Sequence, residues 1–548
     1  MRRWYKAYGL FTIACIACSA TIFADNPIFQ TVYTADPAPM VFNDTLYCYT
    51  SHDEDVTEGG FFTMKNWCLF STTDMVNWRS HGRVASLKNF SWAGTNGAWA
   101  VQCIPRDGKF YMYCPIHMKG IGVLVADKPD GPFTDPVKKA LLTNTNNDID
   151  PSVFIDSDEQ AYLYWGNPTC TYAKLNADMI SLSGTRTALP MTVESFGKRS
   201  NTDRATSYEE GPWIYKRGST YYLGFAGGPI SEHLAYSTST GPTGPWKYGG
   251  VIMSTFSGGA FTNHPGIAEY KGNSYIFYHG QQLSNNGYKR SVCVDKLTYD
   301  AAGAIAKVTP TKEGPAQLGA LDPYATVQAE TICYEQGVET NPSTGSEGGI
   351  MVDSINNNDY IKLKGVDFGD GAKSFEARVA SGGSGGKIEL RLDSQTGKLI
   401  GTCDVPSTGG WDKWATQTCT VSDATGKHDL YLKFTGGSGF LFNFNWWKFT
   451  PIKTSVMVPD DRNRLTGNYI RVSVTGKKAA IRLHESLPET RPVTIALYDV
   501  AGRLAMPLIT RTAQQPELSL SLKTLPAGTY LMKVMSGYSK LTETIIIE

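Results

Sequence analysis

A short motif of turn residues followed by an aromatic strand recurs five times between residues 43 and 276 of this 548-residue chain. The copies are Asn43-Asp44-Thr45-Leu46-Tyr47, Asp107-Gly108-Lys109-Phe110-Tyr111, Asp158-Glu159-Gln160-Ala161-Tyr162, Gly218-Ser219-Thr220-Tyr221-Tyr222 and Gly272-Asn273-Ser274-Tyr275-Ile276. Such self-similarity constrains the fold strongly, because each copy marks one supersecondary unit that buries its apolar face only against its neighbours. The copies lie roughly 50 to 65 residues apart, room for a four-stranded sheet with its loops, and propellers are built from about four to eight such blades. Aromatic clusters such as Tyr221-Tyr222 and Trp446-Trp447 sit among short Gly, Asn and Asp turns, the pattern of strands and hairpins. The expectation is an all-β protein that opens with a five-bladed β-propeller.

A second feature rides on the repeat. Several copies are preceded by a polar residue and a proline: Asp36-Pro37, Asp150-Pro151, Glu210-Gly211-Pro212 and His264-Pro265. In a propeller the first strand of each blade lines the central channel, so equivalent positions from different blades converge on one funnel. One Asp-Pro does no more than open a strand, with the aspartate satisfying turn amides. Three acids in register with the repeat put three carboxyl groups in one place. The partner they act on is neutral, because 51 basic residues balance 51 acidic ones and leave no global attraction for nucleic acid, anionic membranes or polyanions.

With the repeat and the acids in hand, the chain resembles glycoside hydrolase family 43, propeller enzymes acting on arabinose- and xylose-containing polysaccharides. The resemblance covers roughly residues 26–320 and rests on Tyr33-Thr34-Ala35-Asp36-Pro37-Ala38-Pro39, Asp148-Ile149-Asp150-Pro151-Ser152-Val153-Phe154-Ile155-Asp156, Glu209-Glu210-Gly211-Pro212-Trp213 and Asn263-His264-Pro265-Gly266. It implies an inverting hydrolase with Asp36 as general base, Asp150 as orienting carboxylate and pKa modulator, and Glu210 as general acid. In such an enzyme an ionised carboxylate activates water while a protonated one opposite it protonates the leaving oxygen. An Asp150 anion would keep Glu210 protonated by making a second negative charge costly.

The resemblance also implies that Trp99 stacks on the sugar, although a core tryptophan has the same signature. Arg290 is matched either to substrate hydroxyls and the acids or to the surface. His264 is matched to a channel histidine that helps hold a calcium ion, or is a hydrogen-bonded core residue. No organic cofactor is implied. Blocks such as Phe62-Thr63-Met64-Lys65-Asn66-Trp67 and Ser71-Thr72-Thr73-Asp74-Met75-Val76-Asn77-Trp78 resemble the β-xylosidase and α-L-arabinofuranosidase branch, whose motifs do not choose between the two sugars. The expected activity is release of xylose or L-arabinose from xylan, arabinoxylan or their oligosaccharides. An endo-arabinanase of the same family and a non-catalytic glycan-binding protein are the other readings.

The termini point outside the cell. Met1-Arg2-Arg3-Trp4-Tyr5-Lys6 and the apolar stretch to Ala24 have the layout of a signal peptide over residues 1–24. Nine of the eleven cysteines lie beyond it, an odd number, and Cys403 with Cys419, bracketing a Gly-Gly-Trp turn, are expected either to face each other across a hairpin or to be two separate buried thiols.

Residues 325–452 resemble a family 6 carbohydrate-binding module, a β-sandwich, through Asn356-Asn357-Asn358-Asp359-Tyr360-Ile361, Gly409-Gly410-Trp411 and Asn443-Phe444-Asn445-Trp446-Trp447. That implies sugar contacts from Trp411 and Asn443 and a structural calcium near Glu330. The second aromatic ring usual in such a cleft is replaced by Ser354, which puts binding there in question. Residues 466–548 alternate as a small Ig-like β-sandwich. Their pieces Leu497-Tyr498-Asp499-Val500-Ala501-Gly502-Arg503 and Leu525-Pro526-Ala527-Gly528-Thr529-Tyr530 resemble a type IX secretion sorting domain, implying a secreted or cell-surface protein that meets that machinery.

Overall fold

The five turn motifs form the five hairpins that open successive antiparallel sheets. In the computed structural model, which describes residues 25–143, 147–452, 470–475, 478–483, 492–499, 503–512, 517–536 and 539–547, the strands Thr34–Phe42 and Thr45–His52 flank the first motif. Lys109–Ile116, Ala161–Trp165, Thr220–Gly227 and Asn273–Gly280 follow the others, each paired with the strand before it. Asn43, Asp44, Asp107, Glu159, Gly218, Lys271 and Gly272 all take left-handed backbone angles, which two-residue hairpins demand and which Asn, Asp and Gly adopt at least cost. The sheets hold five, three, four, four and three strands. The expected signal peptide at 1–24 and the linker after residue 452 lie outside the described residues.

Side chains from four of these sheets, Trp67, Met112, Trp213 and Ile276, meet in one buried core. The fifth strand of the first sheet comes from far along the chain: Thr331–Ile332 pairs antiparallel with Trp78–Ser86. That strand docks the next domain on the first. The junction is polar and buried. Asn77 Nδ2 donates to Asp74 Oδ2 (2.6 Å) and to the Lys364 carbonyl (2.8 Å), and Asn77 Oδ1 accepts from the Lys364 N–H (2.8 Å). Asn77→Leu strips three buried groups of this partner and should cost about 2 to 4 kcal/mol, read as a lower denaturation midpoint.

Residues 334–451 form two packed sheets. One runs Glu339–Pro342, Ile350–Asp353, Asn443–Pro451, Ala372–Ala380, Ala415–Thr420; the other runs Tyr334–Gln336, Tyr360–Asp367, Lys427–Gly436, Gly386–Leu392, Leu399–Val405. Phe375, Trp447, Leu390 and Phe434 fill the space between them. Cys403 and Cys419 are both free thiols in hydrogen-bond contact, and they sit on strands of opposite sheets, so the expected hairpin is not the geometry that joins them.

The chain falls into two units, the second beginning at residue 454. Its described strands make a three-stranded sheet (Ile470–Thr475, Lys478–Leu483, Glu517–Ser521) and a four-stranded one (Leu504–Thr512, Pro492–Asp499, Gly528–Ser536, Ser539–Ile547). Leu497, Met532 and Val534 are buried there. Among the described residues helix is confined to Leu87–Asn89 and Val193–Phe196.

Candidate active site

Asp36 and Glu210 sit where their strands are irregular, and Asp150 lies two residues ahead of the strand Ser152–Ile155. The ladder of Thr34–Phe42 slips between Ala35 and Ala38, and that of Tyr208–Arg217 slips on both sides of Glu210. A bulge re-aims a side chain out of the strict alternation of a strand. Proline lacks an N–H, so placing Pro37 and Pro212 inside the slipped stretches leaves no orphan donor. Asp36 and Asp150 take left-handed backbone angles (φ 51° and 57°), tolerable for aspartate. Gly211 (φ 63°) has a second reason to be glycine: a Cβ there would lie 3.1 Å from His264 Nδ1.

The three acids line one pocket of about 360 Å³, with Trp99, His117, Asn167, His264 and Arg290 on its wall and Phe61, Phe62 and Phe261 among its apolar residues. Asp36 is gripped from three sides. Arg290 Nη1 donates to its Oδ1 at 3.0 Å, the Ser51 hydroxyl donates to Oδ2, and its own N–H donates to His279 Nδ1 at 3.1 Å. Arg290, 4% exposed, is a buried bridge rather than a surface residue. Its Nε and Nη2 fork onto Asp53 at 3.0 Å each, and its guanidinium lies 4.4 Å over the Phe62 ring.

Burial alone would raise Asp36, but the Arg290 charge, the nearby His279 and His264 and the Ser51 hydrogen bond together hold the carboxyl below the ordinary range. At neutral pH Arg290 is the charged member of that set. Burial drives His279 down to about 3 and His264 down to about 4, so both are neutral there. His279 Nε2 therefore keeps its proton for the Thr262 carbonyl (3.0 Å) and presents a bare Nδ1 to Asp36.

Glu210 is the opposite case. Burial pushes it up to about 7, Asn167 Nδ2 (2.6 Å from Oε2) pulls it partly back, and the Asp36 charge pushes it up again. Asp150, which accepts the Gly211 N–H at 3.0 Å, is raised well above the carboxylate range by burial and by Glu210 and Asp36. The standing anion near Glu210 is thus Asp36; Asp150 and Glu210 are two reluctant acids side by side. The neighbouring acids are engaged elsewhere: Glu209 pairs with Arg199 and Arg204, and Asp148 accepts from Trp165 Nε1.

Trp99 stacks on His117 with ring centroids 4.0 Å apart and 18° between planes. Sequence reasoning missed Asp53, Ser51, His279 and Asn167. Asn167 carried a readable signal, since it too precedes a proline, Pro168. Among the described residues no three His, Cys, Asp or Glu side chains gather to hold a metal. Glu330 Oε1 pairs with Arg79 Nε at 3.2 Å, while its Oε2 is buried with no hydrogen-bond partner among the described residues. On the sandwich Trp411 is 40% exposed, and its carbonyl accepts from Asn443 Nδ2 at 2.9 Å. Phe440 is 60% exposed, and a Cβ at Gly383 would lie 3.3 Å from the Phe440 carbonyl and 3.8 Å from the Trp411 ring.

The family model for glycosyl hydrolases family 43 matches residues 24–305. The chain belongs to that family. It is a glycoside hydrolase, and carbohydrate is its partner. The models for carbohydrate binding module (family 6) and secretion system C-terminal sorting domain match residues 328–451 and 476–548, and the sorting domain makes this family 43 enzyme a secreted or cell-surface protein. It is 36% identical over 510 residues to an arabinoxylan arabinofuranohydrolase of Paenibacillus polymyxa, covering 81% of this chain and 78% of the relative. An arabinoxylan arabinofuranohydrolase of Bacillus subtilis is also 36% identical, over 78% of this chain and 92% of its own. The crystal structure of a family 43 arabinoxylan arabinofuranohydrolase from Bacillus subtilis in complex with cellotetraose is similar at a TM-score of 0.69 and 33% identity, covering 80% of this chain and all of that one.

Proposed function

We propose that this protein is an inverting exo-glycosidase that releases pentosyl units, L-arabinofuranosyl foremost, from arabinoxylan and its oligosaccharides. The observation that carries the reading is electrostatic. One pocket holds a carboxyl kept ionised by a buried arginine, Asp36, and a carboxyl kept protonated to about pH 7, Glu210. Those are the two opposite states that single-displacement hydrolysis needs. Asp36 accepts a proton from water as that water attacks the anomeric carbon. Glu210 gives its proton to the departing oxygen as the glycosidic bond breaks, and exchange with solvent restores both groups. Asp150, fixed by the Gly211 N–H, holds the Glu210 segment and the sugar in place. Trp99, braced by His117, offers its other face to the sugar ring. Arabinose is favoured as the leaving sugar because the two relatives 36% identical over most of the chain are arabinofuranohydrolases.

The five sheets of residues 34–297 fit the blades of one propeller, with Asp36 and Glu210 on innermost strands and Asp150 just ahead of another. The sandwich at 325–452 presents Trp411 and Phe440 to a pentose polymer, with Phe440 supplying the ring that Ser354 lacks. The domain at 466–548 is an Ig-like sorting domain read by the type IX machinery.

The test is to follow product anomers by NMR from aryl arabinofuranoside, aryl xyloside and arabinoxylan. Release with inverted configuration is expected; retention, or no release from any of them, would sink the proposal. The pH profile of kcat/KM should be a bell whose acid limb lies below the ordinary carboxylate range, because Asp36 must lose its proton. The alkaline limb should lie near 7, because Glu210 must keep its own. Asn167→Ala removes a hydrogen bond that favours the Glu210 anion, so the alkaline limb should move to higher pH with the acid limb unchanged.

A further inference from the structure

Glu209 and Glu210 are neighbours on the strand Tyr208–Arg217, yet they face different surroundings. Glu210 lines the active-site pocket, whereas Glu209, 6% exposed, is held by two arginines. Arg199 Nη1 meets its Oε2 at 2.5 Å and Arg204 Nη2 meets its Oε1, so each carboxylate oxygen has a cation of its own. Arg199, itself buried, also reaches Asp203, with Nε at 2.5 Å and Nη2 at 3.1 Å. Both arginines come from one closed loop, tied at its base where Lys198 bridges Thr206. Two cations and two anions leave the cluster neutral as a whole. Buried charges persist only when they are paired in this way.

The cluster also touches the pocket wall. A Cβ at Gly228 would run into Glu209 Oε2 and the Arg199 guanidinium, so the chain there packs directly on the pair. The Gly228 N–H donates to the Ser207 carbonyl at 2.7 Å, and two residues on, Ile230 lines the pocket together with Glu210. We propose that Glu209 is a positioning residue for the general acid: pinned by Arg199 and Arg204, it fixes the Glu210 segment against the wall at residues 228–230 and cancels the arginine charges beside the acid. The inference rests on the proposed function in taking Glu210 as the proton donor. The other titratable groups facing Glu210 are Asp36, Asp150, Glu232, Arg290, His264 and Tyr208, and none of them belongs to this cluster.

The test is the alkaline limb of the kcat/KM profile of the full-length protein on an arabinoxylan oligosaccharide. Glu209→Gln leaves the cluster with a net positive charge, which favours the ionised form of Glu210, so the limb should move about 0.5 to 1 pH unit lower. Arg204→Gln leaves a net negative charge and should move the limb higher by a similar amount. The double substitution restores neutrality and should return the limb close to its wild-type position, and Arg204→Lys, which keeps the charge, should leave it in place. A role confined to folding would lower the rate or the melting temperature without moving the limb in opposite directions. A limb unmoved by Arg204→Gln, single substitutions that move it the same way, or a double variant displaced further than either single one would each overturn the proposal. Arg204 is partly exposed, so its variants decide the question where Glu209→Gln does not fold. Glu210→Ala tells the two readings apart: equal loss on polymer and aryl glycoside would refute the acid itself, whereas selective loss on polymer with unmoved limbs here would refute only the part given to Glu209.

Discussion

Glu210→Ala is expected to divide substrates by their leaving group. Cleavage of arabinoxylan should fall by about 10²- to 10⁴-fold, the usual worth of a general acid, while an aryl arabinofuranoside with a good leaving group should keep most of its rate. The reason lies in the carboxyl itself. Burial holds Glu210 protonated to about pH 7, so its contribution is the proton it donates. A sugar alkoxide cannot depart without that proton, whereas an activated phenolate can. The same substitution should remove the alkaline limb of the pH profile on the aryl substrate, because the group that titrates there is gone. Equal loss on both substrates would assign Glu210 another role.

Asp36→Ala should show no such division. Water must be deprotonated whatever group departs, so kcat on polymer and on aryl glycoside should both fall by about 10²-fold or more, with KM little changed. The surrounding frame should survive. Arg290 keeps its fork on Asp53, and residue 36 keeps its N–H bond to His279 Nδ1, so the melting temperature is expected to stay within a few degrees. Comparable turnover by Asp36→Ala and wild type on either substrate would refute the base assignment. The two variants together separate the acid from the base without a bound ligand.

Much of the enzyme was legible in the linear chain, and for identifiable reasons. The turn motifs are local: Asn43-Asp44 and Lys271-Gly272 need left-handed backbone angles that few residues accept, so a hairpin can be read from adjacent letters. Asp36, Asp150 and Glu210 were legible because a repeat converts separation along the chain into proximity, and because each is followed within two residues by a proline, which at Asp36 and Glu210 falls in a slipped ladder. Asp53, Ser51 and His279 carry no such mark. Their place follows from long-range partners: Asp53 meets Arg290 across 237 residues, and His279 meets Asp36 across 243. On the sandwich, counting from Asp359 finds Ser354, while the exposed ring proposed in its stead, Phe440, lies at a position no fixed spacing indicated.

Sequence by itself therefore determined that this is a β-rich, multi-domain family 43 hydrolase with three acids in register, because patterning and turn chemistry act between near neighbours. Which acid keeps its proton was decided only by the tertiary structure. Ionisation depends on burial and on charges a few ångströms away in space. The buried Arg290 bridge to Asp36, the Asn167 hydrogen bond to Glu210 and the raised pKa of Asp150 exist only once the sheets have closed around the pocket.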